Sequence, residues 1–457
     1  MTDVKRDVVK VKEIHKYIVL IVLAIITFII GVVLEPDFNN LMDGLVKIVK
    51  HHSLANSDYL AIGTNYGSTF INSAIIQLCV IATYAITKTE IKGNQMAAFG
   101  ITLGYTFYSK SIYNVWPLVF GVFLEAKMHG RKASDVSATA WYSTAISSIV
   151  SVFAFGTPSL EPGGPLAITL GIIFGLVGGY LVGMIAVYAP TLHHRYILYN
   201  LGFSTGIVGM FLFSIMQVTG LGHGPYKNGL YVQGQNKLIA IILLINFAYL
   251  FICGVVLNGG FKNAKDLIFG LRKSFDGVTE FGFGVTLMNM AIMGCVGLAY
   301  LLCVPFGHLG GPTMAGVWTV AAFAAVGKSI RASVPVMLGI AFGQWSSGTI
   351  KAYVTAEGPI TFAEAATAGG RWMSQVNQMI ATQFGQGLSP VTANFGTVIG
   401  FVAGIFHSFT VPFTGALHGW MCTYNNGFAQ GIVMTFYRPF SQYLSRLTGH
   451  EQPEDLL

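Results

Sequence analysis

Apolar residues run along this chain in unbroken stretches of about 20, without the period-two alternation of a half-buried strand. Such runs predict membrane-crossing helices and exclude a transmembrane β-barrel, whose strands alternate polar and apolar positions. The first half carries segments at about 17–34, 59–87, 96–109, 112–126, 135–156, 165–190 and 197–217. The second half carries them at about 238–258, 275–303, 312–327, 331–347, 361–385, 393–413 and 420–440. The third and fourth members of each set span only about 14–17 residues, fewer than the roughly 20 a bilayer needs, and together read as one re-entrant helical hairpin.

The two sets are one unit written twice. Gly31-Val32-Val33-Leu34 returns as Gly254-Val255-Val256-Leu257, and the run from Thr69 to Ile75 returns from Thr286 to Ile292. Lys110-Ser111-Ile112, followed by Pro117 and Gly121, returns as Lys328-Ser329-Ile330, followed by Pro335 and Gly339. Tyr199-Asn200-Leu201-Gly202-Phe203 returns as Tyr424-Asn425-Asn426-Gly427-Phe428. The offset stays between 217 and 225, which predicts two complete copies with small loop insertions. Copy one is expected over 17–220 with its hairpin at about 96–126, and copy two over 238–440 with its hairpin at about 312–347. Segments 1–16 and 441–457 read as cytoplasmic ends, and 221–237 as a linker.

Five crossings per copy is an odd number, so the second copy must enter the membrane upside down. With the N-terminus inside, Lys5, Arg6, Lys10, Lys12, Lys16, Lys88, Lys92, Lys127, Arg131, Lys132, Arg195, Lys262, Lys265, Arg272, Lys273, Arg438 and Arg446 face the cytoplasm. Lys47, Lys50, Lys227, Lys237 and Lys351 face outside, and seventeen against five is the expected bias. The fold class is therefore an all-α polytopic membrane protein of two inverted-topology repeats, each with five transmembrane helices and one re-entrant hairpin. Both termini are expected in the cytoplasm, at the cell membrane.

Composition sharpens this reading. Of 457 residues 53% are apolar and 10% charged, against about 25% charged in soluble domains, so a water-soluble enzyme is excluded. The net charge of +7 reports loop orientation, and no basic cluster points to nucleic acid. Cys79, Cys253, Cys295, Cys303 and Cys422 lack disulfide or zinc spacing and read as reduced packing residues. The basic stretch before Tyr17 has no cleavage site after the apolar run, so that run is expected to stay as the first helix. No HExxH, P-loop or membrane-depth carboxylate pair marks an enzyme or an ATP-driven pump.

The chemistry is expected at the hairpin tips, since duplicated inverted folds form their site where interrupted helices meet near the midplane. Lys110, Ser111 and Asn114 in copy one, and Lys328 and Ser329 in copy two, are the candidate substrate residues. A lysine at membrane depth costs roughly 2.5–3.5 kcal/mol unless it meets a partner or water. The following half-helix aims its positive end at the same spot, so an anion would satisfy both; a lysine capping the preceding carbonyls is the structural alternative. Arg371, inside the predicted segment 361–385 with its copy-one counterpart near the uncharged Tyr142, joins the set, with an ion pair to Glu364 as its alternative. Asn200 and Asn425 sit at the start of the last crossing of each copy, where a broken helix could expose carbonyls to the substrate or an ion, or where close packing alone could want them. Asn72 and Asn289, mid-helix, are candidate coupling-ion ligands or interhelical hydrogen-bond glue. His193 and His418 are candidates for proton coupling or interface anchoring, and Glu161, Asp276 and Glu280 are expected to be solvated.

The two-copy pattern, with Gly-Lys-Ser-Ile and a proline and glycine downstream, resembles an uncharacterised bacterial membrane protein family known only as a tandem-repeat domain of unknown function. In layout it is also similar to elevator transporters of the divalent-anion and citrate type, which use opposed re-entrant hairpins. Their Ser-Asn-Thr hairpin tips are replaced here by Lys-Ser-Ile, so dicarboxylate specificity does not follow from the likeness. The reading is a secondary active transporter of a small anionic solute, of the alternating-access elevator type. It needs no cofactor beyond Na+ or a proton as coupling ion, with a homodimer in the lipid bilayer as the expected assembly. The competing class is a passive channel for a small polar solute, of the urea-channel kind.

Overall fold

A computed structural model describes residues 7–54, 57–192, 196–222, 231–232, 234, 237–271 and 275–447. His193 and the loop cations Lys5, Arg6, Arg195, Lys227, Arg272 and Lys273 lie outside the described residues. The described chain is helical, and no named strand occurs in it. Copy one runs α1 (Glu13–Leu34), α2 (Phe38–Val49), α3 (Tyr59–Ile62), α4 (Tyr66–Ile86), α5 (Gly93–Tyr105), α6 (Trp116–Met128), α7 (Ala133–Ser143), α8 (Ser148–Phe155), α9 (Pro165–Leu192) and α10 (Asn200–Val218). Copy two runs α11 (Lys237–Asn258), α12 (Ala264–Ile268), α13 (Gly277–Phe281), α14 (Phe283–Cys303), α15 (Gly311–Ala322) and α16 (Ile330–Thr355). It continues through α17 (Phe362–Met373), α18 (Val376–Gly385), α19 (Ser389–Phe395), α20 (Thr397–Leu417) and α21 (Asn425–Leu447).

Seven of these, α1, α4, α9, α10, α11, α14 and α20, are long and apolar enough to cross a membrane. The bent pair α7 and α8, turned by 40° at a break, would make an eighth. The ten expected crossings are not all single apolar helices. The segment 361–385 breaks at Ser374–Gln375 into α17 and α18, and α17 buries only Ala365 and Gly369 of its twelve residues. The segment 331–347, expected as a short half-helix, continues to Thr355 as a helix of 26 residues, about 39 Å long. The amphipathic α2 was not foreseen. It buries Leu41, Leu45 and Ile48 at helical spacing and leaves Phe38, Met42 and Val46 exposed.

The repeated glycines mark backbone contacts. A side chain on Gly31 or Gly67 would strike the other's carbonyl, locking α1 on α4, and Gly254 and Gly284 do the same for α11 on α14. Gly121 and Gly179 bring α6 onto α9, as Gly339 and Gly404 bring α16 onto α20. Between these outer pairs lie α5 and α15. All twelve residues of α15 and all but two of α5 are buried, as befits a helix enclosed on every side. They run antiparallel, with Gly93 against Ala325, Gly100 against Ala322 and Gly104 against Ala315.

The correspondence of the copies departs from the expected offset in one place. α7, a 3-10 turn at Thr144–Ile146 and α8 form a run of 11, 3 and 8 residues closed by Gly156. α18, a 3-10 turn at Gln386–Leu388 and α19 repeat it as 10, 3 and 7 residues closed by Gly396. Copy two therefore carries the end of α16 and the whole of α17 as an insertion, larger than the small loop differences expected from the sequence.

Candidate functional site

Helix α5 stops at Tyr105 and α6 starts at Trp116, so Thr106–Val115 is a non-helical passage inside the protein. Its carbonyls are met by Asn72, whose Nδ2 donates to Thr106 O at 2.9 Å and Lys110 O at 3.0 Å while its Oδ1 accepts from Ile112 N at 3.0 Å. Asn289 repeats this in copy two, its Nδ2 donating to Ala324 O and Lys328 O, both at 2.9 Å. Ser111 Oγ accepts from Asn114 N at 3.3 Å, as Ser329 Oγ accepts from Ala332 N at 3.3 Å. Asn114 Nδ2 donates to Ser109 O and Ser151 Oγ. Asn72, Asn289, Ser111, Asn114 and Ser329 thus hold the shape of the two passages. Each brings a lysine with it.

Lys110 and Lys328 are fully buried. Lys110 Nζ donates to Tyr424 Oη at 2.7 Å, and Lys328 Nζ donates to Tyr199 Oη at 2.5 Å, so each lysine reaches a tyrosine of the other copy. Lys328 has a second, longer acceptor in Thr319 O at 3.4 Å. The ammonium of Lys110 lies over the rings of Tyr105 and Tyr424, and that of Lys328 over Tyr199 and Phe323. Among the described residues no carboxylate comes within ion-pair distance of either. A buried cation facing neutral hydroxyls and ring faces is stabilised only in part.

Three further pairs of contacts cross between the copies in the same reciprocal way. Asp58 Oδ1 accepts from Gly311 N at the start of α15, and Asp276 Oδ1 accepts from Gly93 N at the start of α5. Thr423 N donates to Ala145 O, and Leu198 N donates to Gly387 O. The ring of Phe203 packs on Gly431 and that of Phe428 on Gly206. The sequence reading overlooked Asp58 and expected Asp276 to be solvated. The offset of 218 that pairs Lys110 with Lys328 also pairs Asp58 with Asp276 and Gly93 with Gly311. Asp58 is buried and also accepts from Leu60 N and Val232 N. Desolvation outweighs these bonds and holds its carboxyl up to about 6.

Asn200 and Asn425 tie the last helix of each copy to its neighbour, through Ala186 O at 3.2 Å and Val411 O at 3.3 Å. His418 Nε2 pairs with Asn425 Oδ1 at 2.9 Å. Arg371 stands apart from the other candidates: it is exposed in the last turn of α17, its guanidinium 5.2 Å from the Phe306 ring. Glu364 closes a capping box with Thr361 at the far end of that helix. Arg371 has no copy-one counterpart because α17 has none. Among the described residues no three His, Cys, Asp or Glu side chains gather where a metal could bind.

A cavity of about 390 Å³ opens beside the lysine pair, lined by Asn94, Tyr142, Tyr199, Asn200, Asp276 and Tyr424 among others. A smaller pocket of about 60 Å³ is lined by Tyr108, Gln378, Asn425 and Asn426 among others.

These features define a helical membrane protein built from a duplicated unit whose copies interlock through buried polar residues. The chain belongs to the family described as protein of unknown function (DUF1576), which it matches twice, over residues 38–218 and 261–443. No curated protein and no solved structure matches it.

Proposed function

We propose that the protein is a secondary active transporter of a small anionic solute, working by alternating access between two copies inserted in opposite orientations. The observation that carries this reading is the pair of fully buried lysines, each facing only neutral partners. The inversion is supported by the antiparallel α5 and α15 and by four reciprocal contacts between the copies, the pattern that a twofold axis in the membrane plane generates. Alternating access is the mode of transport that an inverted pair of repeats around a central site supports. A sodium or proton gradient would drive uphill transport in the absence of an ATP-binding loop.

Lys328→Met and Lys110→Met test it. Each keeps the apolar stem and removes the charge. A thermal-shift screen against small anions, with and without sodium, should show binding to the native protein that falls by roughly 10- to 150-fold in either variant, the loss of about 1.5–3 kcal/mol from one charge-assisted hydrogen bond. Unchanged anion affinity in both folded variants would overturn the reading and favour a neutral solute.

A further inference from the structure

We propose that the cavity beside Tyr199 and Tyr424 is the solute's binding site, and that it takes a monovalent organic anion with a flat apolar body, whose carboxylate is read by tyrosine hydroxyls backed by the two buried lysines. This rests on the anion reading above and narrows it to a substrate class.

The cavity has room for a body much larger than a bare inorganic ion. About 390 Å³ is many times the roughly 30 Å³ that one water occupies in the liquid. Six of its fourteen lining residues carry rings, Tyr142, Tyr199, Phe275, Phe323, Phe384 and Tyr424, and Ile101, Leu198, Leu201 and Val326 add further apolar wall. Ring faces carry the negative side of the aromatic quadrupole, so they repel a naked anion and accept a planar apolar body. Sites built from apolar walls with a few convergent polar groups take organic ligands whose polar end is fixed and whose body is packed.

The polar end is supplied indirectly. Neither ammonium lines the cavity; each stands one hydroxyl behind it, Lys328 at 2.5 Å from Tyr199 Oη and Lys110 at 2.7 Å from Tyr424 Oη. A phenol that accepts from an ammonium still has its own hydrogen to donate, and the charge behind it strengthens that bond. A carboxylate in the cavity therefore meets hydroxyl donors and feels two positive charges close by. Asp276 also lines the cavity, its Oδ1 engaged by Gly93 N and Thr279 N. Two ammoniums and one carboxylate leave a net charge of one to be balanced, which favours a monoanion over a dianion.

Calorimetric titration of the purified full-length protein with benzoate, acetate and benzamide tests this. Benzoate should bind, and acetate and benzamide should each bind at least about tenfold more weakly, since one lacks the ring and the other the charge. Acetate equal to benzoate would overturn the substrate class while leaving the anion reading intact. Benzamide equal to benzoate would overturn both. No benzoate binding at millimolar concentration would overturn the assignment of the cavity. Tyr199→Phe keeps the ring, removes the hydroxyl and should lower benzoate affinity about tenfold. Phe384→Leu, which keeps both lysines and both tyrosine hydroxyls and removes a ring that packs edge-on against Tyr199, should lower benzoate affinity without changing that of acetate. Equal losses for benzoate and acetate in Phe384→Leu would overturn the role of the apolar wall.

Discussion

The corner around Lys110 and the corner around Lys328 are built alike and bounded differently. In both, an asparagine of the preceding long helix holds the carbonyls of the helix break, and the lysine crosses to a tyrosine of the other copy. Around that shared frame the equivalence ends. Asn72 Oδ1 accepts from Ile112 N, whereas Asn289 Oδ1 has no partner among the described residues. Lys328 reaches a backbone carbonyl that Lys110 lacks. The helix after the break has 13 residues in copy one and 26 in copy two. The joint between the copies is thus duplicated faithfully while its flanks have diverged. Contacts at the joint constrain two elements at once, so they change only together; a flank packs on one side and can lengthen alone.

The carboxylate pair offers the most severe test of this contrast. Asp58 accepts three backbone N–H groups in the interior, from Leu60, Val232 and Gly311, whereas Asp276 accepts two and is half-exposed. Thermal unfolding in detergent should show Asp58→Ala weakening the fold by roughly 3 kcal/mol or more, because buried donors are left unmatched, and Asp276→Ala by about 1 kcal/mol, because water replaces the carboxylate. Equal losses would mean that the joint is symmetric in energy as well as in contacts. Titration adds a sign. Burial favours the neutral acid, so the folded protein holds the Asp58 proton more tightly than the unfolded chain does. Its contribution to stability is full below about pH 4, is lost as the pH rises to about 6, and is flat above, a change of about 3 kcal/mol. Asp58→Asn should remove that slope.

The tyrosines carry a smaller asymmetry. Tyr424→Phe takes away the one hydroxyl that Lys110 Nζ meets among the described residues and should cost about 1.5–3 kcal/mol. Tyr199→Phe should cost less, since Lys328 keeps Thr319 O within reach. The reverse order in paired unfolding measurements would show that the longer contact contributes nothing.

What was legible in the sequence divides along the same line. Comparing the chain with itself aligned Asn72 with Asn289, Lys110 with Lys328 and Gly31 with Gly254, because contacts inside a copy repeat with the copy. It could not pair Lys110 with Tyr424, 314 residues away, or Lys328 with Tyr199, 129 residues away, since those contacts run between opposite copies. Both tyrosines stood in the recognised Tyr-Asn-x-Gly-Phe motif, yet the motif suggests a helix start, and nothing local says what the hydroxyl meets. The break in 361–385 escaped for another reason. Apolar content averaged over about 20 residues merges α17, whose alanines and glycines offset Glu364 and Arg371, with the buried α18 that follows it, and hides the break at Ser374–Gln375. The same averaging hid α2, whose apolar residues lie on one face only.

Arg371 gives the smallest expected effect and the clearest boundary to the site. The sequence argument for it depended on burial within a membrane-crossing segment and on an uncharged mate near Tyr142. In the folded chain it is exposed on a helix that copy one does not have, and its contact is the Phe306 ring at 5.2 Å. An exposed cation over a ring contributes about 0.5–1 kcal/mol, so Arg371→Ala should shift stability by no more than that. Its effect on anion binding should be nil, because the cavity and both lysines are assembled from elements common to the two copies, while α17 is an insertion outside that frame. A folded Arg371→Ala protein whose benzoate affinity falls tenfold would instead make the inserted helix part of the binding site. The unequal lengths of α6 and α16 would then be a feature of solute selection, and the two sides of the molecule would have diverged in what they recognise as well as in how they are bounded.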